Sequence, residues 1–159
     1  IRLSTKDSTP SVRWEAVSLL LTSGRPGEAD QILFDVLQSD TEPELRLKAV
    51  DALRSRPGKE VTRGIMKGLK DSEADVRLAV LAALTQRDDT DTSRAVSDLV
   101  GDSDERVRRA AIRTLNTLNE RREAQKREGA ERNRQAQIDY EEKVRLYNEA
   151  QLKPKKKGP

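Results

Sequence analysis

Four aspartates, Asp7, Asp40, Asp71 and Asp102, each stand six residues before an arginine: Arg13, Arg46, Arg77 and Arg108. An aspartate at a turn can accept hydrogen bonds from the exposed N–H groups where the next helix begins, and its charge suits the positive end of the helix dipole. The arginine falls in the first turns of that helix. Stacked copies would bring the arginine of one unit near the aspartate of its neighbour, and a ladder of such charges would set the spacing of layers. The reading for Arg13, Arg46 and Arg77 is therefore structural, with ligand contact as the alternative, since ion-pair networks mimic sites.

The remaining chemical inventory is short. The chain of 159 residues holds no His and no Cys. Their absence removes most catalytic triads, zinc sites, redox motifs and disulfides. "RPGKEV" contains Gly-Lys but lacks the spaced glycine and the Ser/Thr of a phosphate-binding loop. The acidic "RDDTDTS" at Arg87–Ser93 lacks the spacing and terminal Glu of a calcium loop. It reads as an inter-repeat loop, with a weak cation site as the alternative. No metal, no cofactor and no enzyme activity are expected. Charged residues reach 37% against 34% hydrophobic, which fits a thin helical stack with a long wetted surface better than a thick core. No run of apolar residues approaches the length of a membrane span. The compartment stays open between cytoplasm and periplasm, because the chain opens on Ile1 and any signal or anchor would precede it.

The elements that position the ladder repeat. The aspartates step by 33, 31 and 31 residues, as do the arginines and the column Leu20, Leu53, Leu84 and Leu115. Each copy places aliphatic or small residues on one face of a 3.6-residue period. They are Val12, Ala16, Val17 and Leu20, then Leu45, Ala49, Val50 and Leu53. The next copies are Val76, Val80, Leu81 and Leu84, then Val107, Ala111, Ile112 and Leu115. Pro10 and Pro43 sit near first turns, where a missing N–H costs nothing, and "TEPE" and "SEAD" resemble capping sequences. Shorter amphipathic segments lie between, at 28–38, 60–70 and 92–101. The predicted unit is a helix–turn–helix of about 31 residues that buries its stripe only by stacking on a neighbour. Trp14 aligns with Leu47, Leu78 and Arg109. It is expected between layers, with a partner contact as the alternative.

The Asp–x4–Val/Leu–Arg pattern followed by Ala and Leu resembles the short bacterial HEAT-like repeat, the type also found in phycobilin lyase subunits. The resemblance covers residues 1–118. It implies an all-α, right-handed solenoid whose second helices line the concave face. "IRLSTKD" aligns with the end of a first helix, so the chain is expected to be a fragment of a longer one, with upstream repeats or a partner covering that edge.

Beyond Leu118 the pattern changes. Residues 119–152 read as a long charged helix, polar all round at first, with i,i+4 pairs Glu123–Arg127 and Glu128–Arg132. A stripe then returns at Ala136, Tyr140, Val144 and Tyr147, with Ile138, Leu146 and Leu152 beside it. This arm is expected to dock on another subunit, fold back on its own repeats or stay free. Residues 153–159 form a basic, disordered tail. Net charge is −1 through Leu118 and +4 beyond it.

These features point to a non-catalytic scaffold or accessory subunit of a larger protein assembly. Tyr140, Val144 and Tyr147 are the leading contact residues, followed by Arg108, Arg109 and Arg113. Two alternatives stand beside it. One is a nucleic-acid-binding HEAT-like module using Arg106, Arg108, Arg109 and Arg113, against which stand the charge of the repeats and the absent aromatic platform. The other is a non-catalytic partner of a lyase-like enzyme. Four lysines within Lys153–Lys157 are marginal as a membrane anchor.

Overall fold

The computed structural model describes residues 4–23, 26–87 and 90–152. Every element among them is helical. The order is α1 (Pro10–Ser23), α2 (Pro26–Ser39), α3 (Pro43–Arg54), α4 (Lys59–Met66), α5 (Ala74–Leu84), α6 (Thr90–Ser97) and α7 (Glu105–Leu152). Short 3-10 turns precede α1 and follow α4 and α6. The chain forms two compact units, Ile1–Leu118 and Asn119–Pro159. The basic run Lys153–Lys157 lies outside the described residues.

Helix starts follow from local chemistry. Prolines open α1 and α3, where their fixed φ suits the helix and the absent N–H leaves no bond unmade. The expected caps act differently. Glu42 and Glu73 occupy the N-cap positions of α3 and α5 but make no side-chain cap bond. The cap comes from two residues earlier. Asp40 Oδ1 accepts the Glu42 N–H at 2.9 Å, and Asp71 Oδ1 accepts the Glu73 N–H at 2.9 Å. The ends of α4 and α6 tighten into 3-10 turns over Lys67–Lys70 and Asp98–Gly101. There Asp71 and Asp102 donate their N–H groups to the carbonyls of Gly68 and Leu99. The tightening closes orphan carbonyls just before each ladder aspartate.

In the first unit, one apolar core joins Val17, Leu33, Leu37, Leu53, Ile65, Leu81, Leu84, Val96 and Val107. Each large side chain sealed there contributes about 1.5–3 kcal/mol. The helical stripe read from sequence is sealed except at its two ends. Val12 is 38% exposed and Ile112 47% exposed, whereas Leu45, Val50, Val76, Leu81 and Val107 are at 3% or less. Trp14 is half-buried rather than enclosed between layers. It lies beside Leu47 and Ala52, with the Lys48 ammonium 5.7 Å from its ring centre. Gly64 lets α4 approach α2 closely, because the Phe34 ring occupies the space a Cβ would need.

In the second unit, α7 continues to Leu152 with every described side chain exposed or only partly covered. No helix among the described residues is long and apolar enough to cross a membrane.

Candidate interaction surfaces and the charge ladder

The ladder is built at the turns. Each aspartate first folds its own turn by accepting the N–H two residues on: Thr9 to Asp7 at 2.8 Å, Glu42 to Asp40 at 2.9 Å, Glu73 to Asp71 at 2.9 Å and Asp104 to Asp102 at 2.8 Å. This is an Asx turn, which aspartate favours because its short side chain reaches its own backbone. Each arginine then uses Nη1 to hold the carbonyl of its own unit's aspartate. The distances are 2.9 Å for Arg13, 2.8 Å for Arg46, 2.7 Å for Arg77 and 2.8 Å for Arg108.

The other edge of the guanidinium faces the next unit. Arg13 donates Nε and Nη2 to the Asp40 carboxylate at 2.9 and 2.7 Å. Arg46 meets Asp71 at 2.7 and 2.8 Å, and Arg77 meets Asp102 at 2.8 and 2.7 Å. These are bidentate, fork-to-carboxylate pairs, the strongest geometry open to them. Arg13, Arg46 and Arg77 are buried at 8% exposure. Burial pushes the Asp40 and Asp71 carboxyls up, but the arginine bond and the turn N–H more than offset it, so both lie below the ordinary range. For Asp102 the Arg77 bond is the largest influence and the carboxyl is again lowered.

Arg87 adds a clamp three residues after the column residue Leu84, the position that Arg56 holds after Leu53, where Arg56 pairs with Asp30 of α2. Its Nη2 donates to the carbonyls of Leu53 at 2.7 Å and Arg56 at 2.6 Å, and its Nη1 to Thr62 Oγ1 at 3.1 Å. A cation is thereby set on the carbonyl end of α3, where the dipole favours it. Burial lowers the Arg87 pKa, and its buried Nε has no partner among the described residues. Arg87 was read from sequence only as the start of an acidic loop, although Arg56 stands 31 residues before it in the same register and carried the signal. Asp88 and Asp89 of that loop lie outside the described residues.

The four arginines at the start of α7 do not form an open basic patch. Arg106 lies between Asp104 and Asp75, at 2.9 Å from each, and its bond to Asp104 is the main reason that carboxyl falls to about 2. Arg109 pairs with Glu105. Arg113 lines a shallow groove of about 310 Å³ with Leu78, Thr85 and Thr117. Arg108 donates through Nη1 to the carbonyls of Asp102 and Ser103, and among the described residues no carboxylate meets its other edge. A groove of about 820 Å³ mixes Arg63, Lys67 and Arg94 with Asp91 and Asp98. Among the described residues no three carboxylates converge as metal ligands would.

In the second unit, Tyr140, Val144 and Tyr147 fall within about 60° of one another at about 100° per residue, so they share one face of α7. Their exposures are 64%, 39% and 65%. Ile138, Leu146 and Leu152 are also exposed, but they stand roughly 110–150° from the centre of this stripe and do not extend it. Wheel arithmetic on the sequence would have separated them.

Residues 62–127, from within α4 into α7, match the family model of HEAT repeats. No curated protein matches the chain. The repeats in this stretch are HEAT-like and stacked in a helical, solenoid-like fold.

Proposed function

We propose that this chain is a non-catalytic protein-interaction module, a scaffold or accessory subunit of a larger assembly. Its repeats form a right-handed solenoid of about 31-residue units, and it docks through their second-helix face and through the helix at 119–152. The observation that carries the reading is the stripe Tyr140, Val144 and Tyr147. Two tyrosines about two-thirds exposed on an otherwise charged helix are amphipathic, low-entropy contact residues of the kind that dominate interfaces. HEAT repeats are commonly interaction scaffolds, which agrees with it. The charge pairing of Arg106 and Arg109 leaves little free positive surface on the repeats for a phosphate backbone.

The test is affinity capture from the source cells with the wild-type chain and with a Tyr140→Ala/Tyr147→Ala variant, washed at low and high salt. A protein complex retained at near-stoichiometric amount through high salt, and lost from the variant, is the expected result. Retention of nucleic acid alone, removed by salt, would overturn the reading, because salt-sensitive binding is the signature of phosphate contacts.

A further inference from the structure

The helix at 119–152 carries more order than its three stripe residues. Tyr140, Val144 and Tyr147 stand four and three residues apart, and the alternation runs on in both directions. Upstream it reaches Gln137, Asn133 and Ala130, and downstream Gln151. All seven positions are uncharged, whereas nine of the fifteen residues between them are Asp, Glu, Lys or Arg. Charge is thus kept off one seam of a helix that is charged elsewhere. Steps of three and four average 3.5 residues, the repeat that keeps a seam facing a second helix as the two supercoil. Every seam residue is exposed.

We infer that this seam pairs with the same seam of a second copy, in a parallel, in-register pair of helices. The inference rests on the reading of this helix as a docking element and names what docks there. The polar layers favour self-pairing. An amide both donates and accepts, so Asn133, Gln137 and Gln151 can each bond their own counterparts. Gln137 uses one N–H on Glu141 of its own helix, at 2.7 Å, which leaves its second N–H and its oxygen for the other copy. The flanking charges do not oppose the match, because in register Lys143 lies by Asn148 of the second copy and Glu141 by Ala136. Turned antiparallel, the pair either faces Glu141 to Glu141 and Lys143 to Lys143 or slides Tyr140 onto Gln151.

The area suits a weak dimer. Four tyrosines at about 150–250 Å² each bury at most about 600–1,000 Å², so the pair reaches the range of specific interfaces, from about 1,200 Å², only with Val144 and the amides added. Association is expected at high protein concentration. A twofold pair of this kind uses the same surface on both copies and closes at two.

The experiment is sedimentation velocity on the full chain across a wide concentration range, with disulfide trapping beside it. The mass should climb from the 17.9 kDa monomer to twice that value and stop there. Tyr140→Ala/Tyr147→Ala should stay monomeric. Alanine is the better helix former, so this loss is not a loss of helix, and an unchanged Trp14 melting transition shows the repeats intact. The chain has no cysteine, so a single introduced one reports on its own counterpart. Oxidised at the concentration where the dimer forms, Asn133→Cys on the seam should give a disulfide-linked dimer, and Gln135→Cys off the seam should not. A chain monomeric throughout overturns the inference, as does a mass that rises beyond two copies or a tyrosine variant that associates like the wild type. Equal trapping by the two cysteines, or trapping by neither in a dimer, overturns the parallel seam. If the chain is monomeric while affinity capture still loses its complex with the tyrosine variant, the inference fails and the scaffold reading stands. If it dimerises as described while capture retains no other protein, the inference stands and the scaffold reading fails.

Discussion

Arg46 and Arg145 are the same residue within reach of carboxylates, and they live in different physical worlds. Arg46 meets Asp71 through two bonds of 2.7 and 2.8 Å, with side-chain exposures of 10% and 5%. Arg145 lies 3.8 Å from both Glu142 and Glu149, and all three side chains are about three-fifths exposed or more. In the first unit, charge is desolvated, fixed and joined to sealed apolar rows, so each interaction depends on its neighbours. In the helix at 119–152, charge is solvated and the backbone bonds of the helix carry the structure. A buried pair is costly to break because the surviving partner is left uncompensated, whereas an exposed pair is screened.

The largest expected effect breaks that contrast at its strongest point. Arg46→Ala strands Asp71 and releases the Asp40 carbonyl, and should destabilise the first unit by about 3 kcal/mol. Arg145→Ala should leave stability unchanged within error. Trp14 is the only tryptophan and lies in the first unit, so its fluorescence in a urea titration reads that unit alone, while circular dichroism reads helix in both. Equal effects of the two substitutions would dissolve the comparison.

Acid attacks the same rungs without mutation. The carboxyls of Asp40, Asp71 and Asp102 are lowered in the folded chain, so their stabilisation is complete above the unfolded value of about 3.9. It is lost as pH falls through the lowered folded values. With no histidine in the chain, the Trp14 transition should hold its midpoint from about pH 7 to about pH 5 and drop below about pH 4. An Asp71→Asn variant should lose most of the Arg46–Asp71 share of that acid dependence. A midpoint that falls between pH 7 and 5 would show that other groups govern stability.

The sequence makes these features legible in unequal degree. The Asp and Arg columns are visible because three intervals repeat, and the aliphatic face is visible because it follows the helical period. Neither says that each arginine serves two masters, a carbonyl behind and a carboxylate ahead, because the carbonyl belongs to every residue and leaves no trace in a sequence. Val12 and Ile112 belong to the buried columns by type, and only the stack shows that end units leave one row uncovered. Arg87 has a periodic counterpart in Arg56, but its role escapes because it binds backbone carbonyls more than thirty positions earlier. Gly64 and Gly68 look like poor helix formers, whereas their role is close approach, which depends on what the fold places opposite them.

Glycine gives the smallest effect and the clearest sign. Substituting alanine at Gly64 puts a Cβ into the Phe34 ring, and at Gly129 the same Cβ meets nothing within 4 Å. In a helix, alanine is favoured over glycine by about 0.5–1 kcal/mol because the unfolded glycine has more freedom to lose. At Gly64 that gain is outweighed by overpacking, and a net loss of about 1–2 kcal/mol is expected. Phe34 is only partly buried, so Phe34→Leu in the same chain should restore part of the loss, and this coupling separates a steric clash from an intrinsic propensity effect. At Gly129 nothing opposes the gain. Far-UV circular dichroism on thermal unfolding should therefore show Gly129→Ala raising residual helix while the Trp14 transition stays fixed, and Gly64→Ala lowering the Trp14 midpoint. A shift of the Trp14 midpoint by Gly129→Ala would mean that the helix beyond Leu118 and the repeats unfold as one cooperative body, and the contrast between Arg46 and Arg145 would then have to be explained by exposure alone.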